Sequence, residues 1–236
     1  MTVSEISKNI ADELREMTSE KRAQFYRTMA PTSMKVLGVT SPQLKEILKK
    51  WLPGIQSLSS EEWIVLAKQL VNSRVFESNQ LAFEILWKNK KALALIRLED
   101  IEYLGKNMDN WATVDALAVM VSGWAWRENQ ISNQDVLGWL QSENRWWRRL
   151  ALVSTIPLNM KSRGGKGDEN RTLMLCEKVV RDRDDMIVKA LSWALRELSK
   201  SKPEAVIEFM NAHREKLAKR VEKEVWTKLE TGRKNR

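Results

Sequence analysis

At 236 residues, with 43% apolar side chains and charge spread throughout, the chain suits one full-sized globular core and offers no apolar run of bilayer-spanning length. A single cysteine excludes a disulfide framework or thiolate metal cluster, and a single histidine excludes a Ser-His-Asp triad, a histidine-rich metal site and a histidine acid–base pair. The 40 basic against 31 acidic residues leave a charge of +9, which favours a polyanionic partner.

Five prolines and nine glycines are too few for a turn-rich all-β fold. The start, Met1 to Glu5, lacks the charged-then-apolar layout of a secretory leader, so a cytoplasmic location is expected. Cys176 then reads as a small buried hydrophobe in a reducing compartment.

Nearly every segment carries helical periodicity. Ile6, Ile10, Leu14 and Met17 mark a first amphipathic helix, and Arg22 to Met29 a second. In Gly38-Val39-Thr40-Ser41-Pro42 a turn starts a third, with Ser41 read as N-cap and Pro42 as first helical residue; Pro53-Gly54 is expected to end it. Ser59 to Glu62 is a capping box. Helices follow at Leu81 to Trp87, Leu98 to Leu104, from Trp111, up to Trp139-Leu140, and over Asn144 to Ile156, the last stopped near Pro157. Lys161 to Asp168 holds three glycines and three cations, but no strand precedes it and no Ser or Thr follows Lys166, so it reads as a flexible basic connection and not a phosphate loop. Four further helices extend to Leu229.

The expected fold is therefore all-α: a HEAT-like helical-repeat solenoid with a concave basic groove, one domain over 1–230 and a basic mobile tail over 231–236. A compact irregular helical bundle is the alternative architecture.

Three stretches carry the functional signal. In Asn110-Trp111-Ala112-Thr113-Val114-Asp115, Asp115 falls one turn after Trp111, so indole and carboxylate share a face that Ala118 and Ser122 extend, beside the apolar face of Val114, Leu117 and Val121. In Asp184 to Lys200, Trp193 lies on the polar side with Lys189, Arg196 and Lys200, the pattern of an aromatic platform in a basic groove. In Asn144 to Ile156, Arg145, Arg148 and Arg149 cluster with only Glu143 as a nearby acid, an arrangement suited to phosphate. Each also has a structural reading: a core-edge acid and Trp, a Trp packed on a neighbouring helix, and a solvated charged face.

These stretches, as Trp111–Asp115, Asn144–Arg149 and Lys189–Glu197, with the turn Leu37-Gly38-Val39-Thr40-Ser41-Pro42, together resemble the AlkD-like DNA alkylation repair family, HEAT-like repeat DNA glycosylases, from about Tyr26 to Lys200. The resemblance implies a catalytic Asp115 and ring-packing Trp111 and Trp193. It implies DNA contacts from Arg149, with Arg148, Arg145, Lys189, Thr40 and Pro42 beside it, and makes Tyr26 the candidate for an N-terminal aromatic near the lesion. It implies no metal and no cofactor, a monomer, and double-stranded DNA containing alkylated bases as the partner, processed without flipping the base. Where the family stretch often reads Trp-Trp-Asp-x-Val-Asp, this chain has Asn110 and Ala112 in place of the first Trp and first Asp.

The chemistry fits this inventory. A purine alkylated at N3 or N7 is already cationic and needs no general acid to leave, so one carboxylate suffices where glycoside hydrolysis ordinarily uses two. The expected activity is excision of such purines from duplex DNA. Two alternatives from other classes remain: a non-enzymatic DNA-binding solenoid that recognises damaged or branched DNA, and a protein-scaffold array.

Overall fold

A computed structural model describes residues 1–233, and among them all regular elements are helical, apart from an isolated parallel bridge between Lys35 and Val75. The chain divides into two compact units, which meet in sequence between Val121 and Ser122. The all-α expectation holds.

The first unit contains α1 (Val3–Glu16), α2 (Glu20–Met29), α3 (Ser41–Gln56), α4 (Ser60–Asn72), α5 (Phe76–Lys88), α6 (Lys90–Leu93), α7 (Leu98–Gly105) and α8 (Trp111–Leu117). Here α1 packs on α3 and α4, α4 on α5, and α5 on α8. Their meeting faces carry Ile6, Ile10, Leu14, Ile47, Leu66, Leu70, Leu81 and Ile85, all essentially excluded from solvent. Burial of each such side chain is worth about 1.5–3 kcal/mol, which is what holds these short helices together.

The second unit contains α9 (Gly123–Arg127), α10 (Asn133–Leu140), α11 (Arg145–Val153), α12 (Ile156–Asn159), α13 (Glu169–Lys178), α14 (Asp185–Leu198), α15 (Pro203–Ala212) and α16 (Lys219–Thr231). The central α14 packs on α11, α13 and α16. Ile187, Ala190, Leu191, Ala194, Leu195 and Leu198 form its buried side.

Local chemistry corrects several expected boundaries. The cap of α3 is Thr40, whose hydroxyl accepts from the Gln43 N–H while the Gln43 side chain returns a bond to Thr40 N; Ser41 and Pro42 are already inside the helix. Pro53 does not stop α3. It costs one intrahelical N–H bond, but Ile55 beyond it is fully buried and Ser57 bonds back to the Gly54 carbonyl through both N–H and hydroxyl. The arginine-rich helix ends at Val153, where the Ser154 and Thr155 hydroxyls bond back to Leu150 and Leu152 carbonyls. Pro157 sits in the first turn of α12, where a missing N–H costs nothing.

The Lys161–Asp168 connection is likewise tied down. The N–H groups of Gly164, Gly165, Lys166 and Gly167 bond to the carbonyls of Lys161, Met160 and Leu158, so the main chain is spent internally and not presented to a phosphate. Of the expected tail, Thr231 closes α16 and Gly232 follows it in the left-handed conformation; Lys234, Asn235 and Arg236 lie outside the described residues.

Candidate functional site

The first-unit site begins with the cap of α8. Asn110 Oδ1 accepts from the Thr113 N–H at 3.0 Å, which satisfies an otherwise orphaned donor and starts the helix at Trp111. Before it, Asp109 takes bonds from the Thr32 hydroxyl and the Ser33 N–H, both at 2.5 Å, and Asn110 Nδ2 reaches Thr32 at 3.4 Å. Burial raises the Asp109 carboxyl, but these hydrogen bonds outweigh it and hold it below the ordinary Asp value. The loop after α2 is thus clamped to the entry of α8.

Trp111 completes the clamp. Its indole N–H donates to the Met29 carbonyl at 3.0 Å, a group left without a helical partner at the end of α2. Trp111 and Asp115 are both half-buried and one turn apart, while Val114 and Leu117 are fully buried, as the spacing predicts. Ala118 and Ser122 depart from expectation and are fully buried. They bracket a π-helical turn, Ala118–Ser122.

Trp111 also lines a cavity of about 400 Å³ with Phe25, Tyr26, Phe76, Glu77 and Glu84 among its walls. Tyr26 stacks on Phe76 with centroids 6.4 Å apart, and Phe25 lies tilted on Tyr26 at 6.0 Å. The structure therefore brings Tyr26 and Trp111 to one cavity. Thr40 and Pro42 sit at the nearby start of α3, where Thr40 is committed to capping and Pro42 is exposed.

Glu77 escaped the sequence reading. It is 1% exposed, and its carboxylate accepts from the N–H groups of Leu37, Gly38 and Val39 at 2.7–3.3 Å. Gly38 is required here: its φ is +79°, and a Cβ would lie 2.3 Å from the Ser19 carbonyl oxygen. Nothing local in sequence marks Glu77, since its partners lie 38 to 40 residues away.

In the second unit, the three expected phosphate-binding arginines already have protein partners. Arg145 pairs with Asp184 at 2.6 Å and Arg148 with Asp182 at 3.7 Å. Arg149 is only 5% exposed and donates to the Met186 carbonyl at 2.6 Å. Asp184 meanwhile caps α14 through the N–H groups of Met186 and Ile187. Burial raises its carboxyl, and the Arg145 contact and these N–H bonds more than reverse that. The segment 182–186 is thus an anionic and carbonyl-rich receptor for α11. The apparent shortage of acids near these arginines was a shortage only in sequence.

Trp193 is half-buried, not a freely exposed platform, and the cations beside it are paired: Lys189 with Asp185, Arg196 with Glu224, and Lys200 with Glu197. Side chains four residues apart account for the first pair, and α16 supplies Glu224 for the second.

The family model described as "DNA alkylation repair enzyme" matches residues 10–229. A solved structure titled "Predicted DNA alkylation repair enzyme from Enterococcus faecalis" superposes with a TM-score of 0.69 at 18% identity, covering 89% of this chain and 95% of that one. No curated protein sequence matches. Among the described residues, no helix is long and apolar enough to cross a membrane.

Proposed function

This chain belongs to the DNA alkylation repair enzyme family, and on that premise we propose that it is a monofunctional DNA glycosylase that excises cationic N3- and N7-alkylpurines from duplex DNA. The observation that carries the reading is the Trp111–Asp115 pair, an indole and a carboxylate one turn apart at the core edge, on a helix whose start is clamped by Asp109 and Asn110.

The reaction asks little proton chemistry of the protein. As the glycosidic bond breaks, its electron pair goes to the purine and neutralises it, while positive charge develops on the deoxyribose. Asp115 stabilises that charge, orients a water toward the anomeric carbon and takes up the proton the water gives up. The Trp111 ring face offers the same cation an attraction of about 0.5–2 kcal/mol. Trp193 is proposed as a second ring for the sugar. Arg149, Arg148, Arg145 and Lys189 are proposed to serve the DNA backbone, which requires the exposed ones among them to exchange an internal carboxylate for phosphate. Thr40 and Pro42 are proposed as further DNA contacts, and Tyr26 as the N-terminal aromatic near the lesion. A HEAT-like array with a basic groove, acting as a cytoplasmic monomer, is the architecture proposed with this activity.

The test is incubation of the full chain with methylated duplex DNA, followed by chromatography of the freed bases. Release of 7-methylguanine or 3-methyladenine, with none from unmodified duplex, is expected. A salt-dependent DNA complex that frees no base would replace this reading with non-enzymatic recognition of damaged DNA.

A further inference from the structure

The second unit holds a cavity of about 570 Å³, walled by the end of α9, the Lys161–Asp168 connection, the start of α13 and Lys202 after α14. Two arginines in its wall are fixed in place. Arg127 donates through Nε to Glu128 at 2.9 Å and through Nη1 to the Arg163 carbonyl. Gly164 makes room for it: its φ is +86°, and a Cβ there would lie 3.2 Å from Arg127 Nη1. Arg171 donates through Nε to Asp168 at 2.5 Å and through Nη1 to the Trp126 carbonyl at 2.6 Å, with its guanidinium 5.4 Å from the Trp126 ring centre. Each arginine thus spends Nε and Nη1 on the protein, and among the described residues neither Nη2 has an acceptor. Lys166 lines the same cavity, is exposed, and its ammonium group has no partner among the described residues. The acids of the wall are already engaged. Asp168 gives one oxygen to the Arg171 side chain and the other to the Arg171 N–H, Glu128 serves Arg127, and Glu169 pairs with Lys202 at 3.3 Å.

We propose that this cavity binds a small phosphomonoester through the side chains of Arg127, Arg171 and Lys166. Two fixed guanidiniums with an unused nitrogen each, and one unpaired ammonium, are three donor groups for three terminal oxygens. A carboxylate or a phosphodiester offers only two such oxygens. The main chain of the connection is turned inward, so it shapes the wall while the side chains do the binding. The volume lies within the range of small-molecule sites and leaves space for the organic group that carries the phosphate. The cavity is also remote from the arginines proposed for DNA. Asp184, the partner of Arg145, caps the start of α14, whereas Lys202 follows its other end. A helix of 14 residues separates those ends by about 20 Å. The site is inferred from its own donors and does not depend on the proposed excision activity.

Calorimetric titration of the full chain with glycerol 3-phosphate, and with glycerate as its carboxylate counterpart, tests the proposal. The phosphomonoester is expected to bind at least about tenfold more tightly than glycerate. Lys166→Ala and Arg171→Gln should each cut that affinity about fivefold or more; Lys166 makes no side-chain bond, so its variant keeps the test sound if Arg171→Gln unfolds. Lys161→Ala removes the same charge from the same connection but outside the cavity wall, and should change affinity less than about twofold. Absent binding of glycerol 3-phosphate, equal affinity for glycerate, or equal losses in Lys166→Ala and Lys161→Ala would overturn the site. Unmodified duplex without terminal phosphates, added to the loaded chain, separates the two sources of phosphate. Simultaneous binding supports a small-molecule site, and displacement overturns it by assigning the cavity to the DNA backbone. None of these readouts records base release, so failure here and failure of the glycosylase reading are distinct outcomes.

Discussion

The indole N–H of Trp111 is bonded to the carbonyl of Met29, 82 residues earlier, so the ring one turn before Asp115 is held by the end of another helix as well as by its own. Trp111→Phe keeps an aromatic face but leaves that carbonyl without its donor. A loss of about 0.5–1.5 kcal/mol in stability is expected, read as a lower Tm. Excision should fall further than DNA affinity, because the hydrogen bond orients the ring and does not itself grip DNA.

Asp109 makes the same clamp sensitive to acid. Its folded pKa lies below the unfolded value, so its contribution is fully present above about pH 4 and is lost as pH falls through the folded pKa. Thermal melts from neutral pH downward should therefore show a steeper acid limb in the native chain than in Asp109→Asn. Identical limbs would mean that the Thr32 and Ser33 bonds contribute no pH-dependent stability.

The arginines of α11 should separate by burial. Arg149→Met removes the donor to the Met186 carbonyl inside the second unit and is expected to cost about 1–3 kcal/mol, or several degrees of Tm. Arg145→Ala breaks a partly exposed pair with Asp184 and should cost about 1 kcal/mol or less. If Arg145 also engages a phosphate, its loss lowers the salt dependence of DNA binding by about one unit of slope, a readout that a purely structural role leaves unmoved.

Cys176 is fully buried, and burial pushes its thiol far above the ordinary range. It should resist alkylating reagents in the folded chain and react stoichiometrically once the protein is denatured. Fast modification under native conditions would contradict the burial.

The helices and the order of the motifs were legible because they depend on local periodicity and capping. Ser59 with Glu62, and the buried side of Val114 and Leu117, follow from spacing alone. What spacing missed was long-range. Nothing near Arg145, Arg148 and Arg149 reveals that Asp182, Asp184 and the Met186 carbonyl await them some 34 to 39 residues later (148 to 182, 149 to 186, 145 to 184). The same holds for Glu77, whose carboxylate serves a turn almost 40 residues upstream. The residue that departs most visibly from the family stretch, Asn110, has a local explanation that its sequence neighbours allow: it is the cap of the helix bearing Asp115. Asn110→Ala should cost about 1 kcal/mol, measurable as a shift in denaturant midpoint.

The central claim concerns one carboxylate, and the most direct measurement compares the native chain with Asp115→Asn and Asp115→Ala on the same methylated duplex, recording base release and DNA affinity together. The account predicts that both variants bind DNA nearly as well as the native chain and release essentially no alkylated purine. Undiminished release by either variant would contradict it.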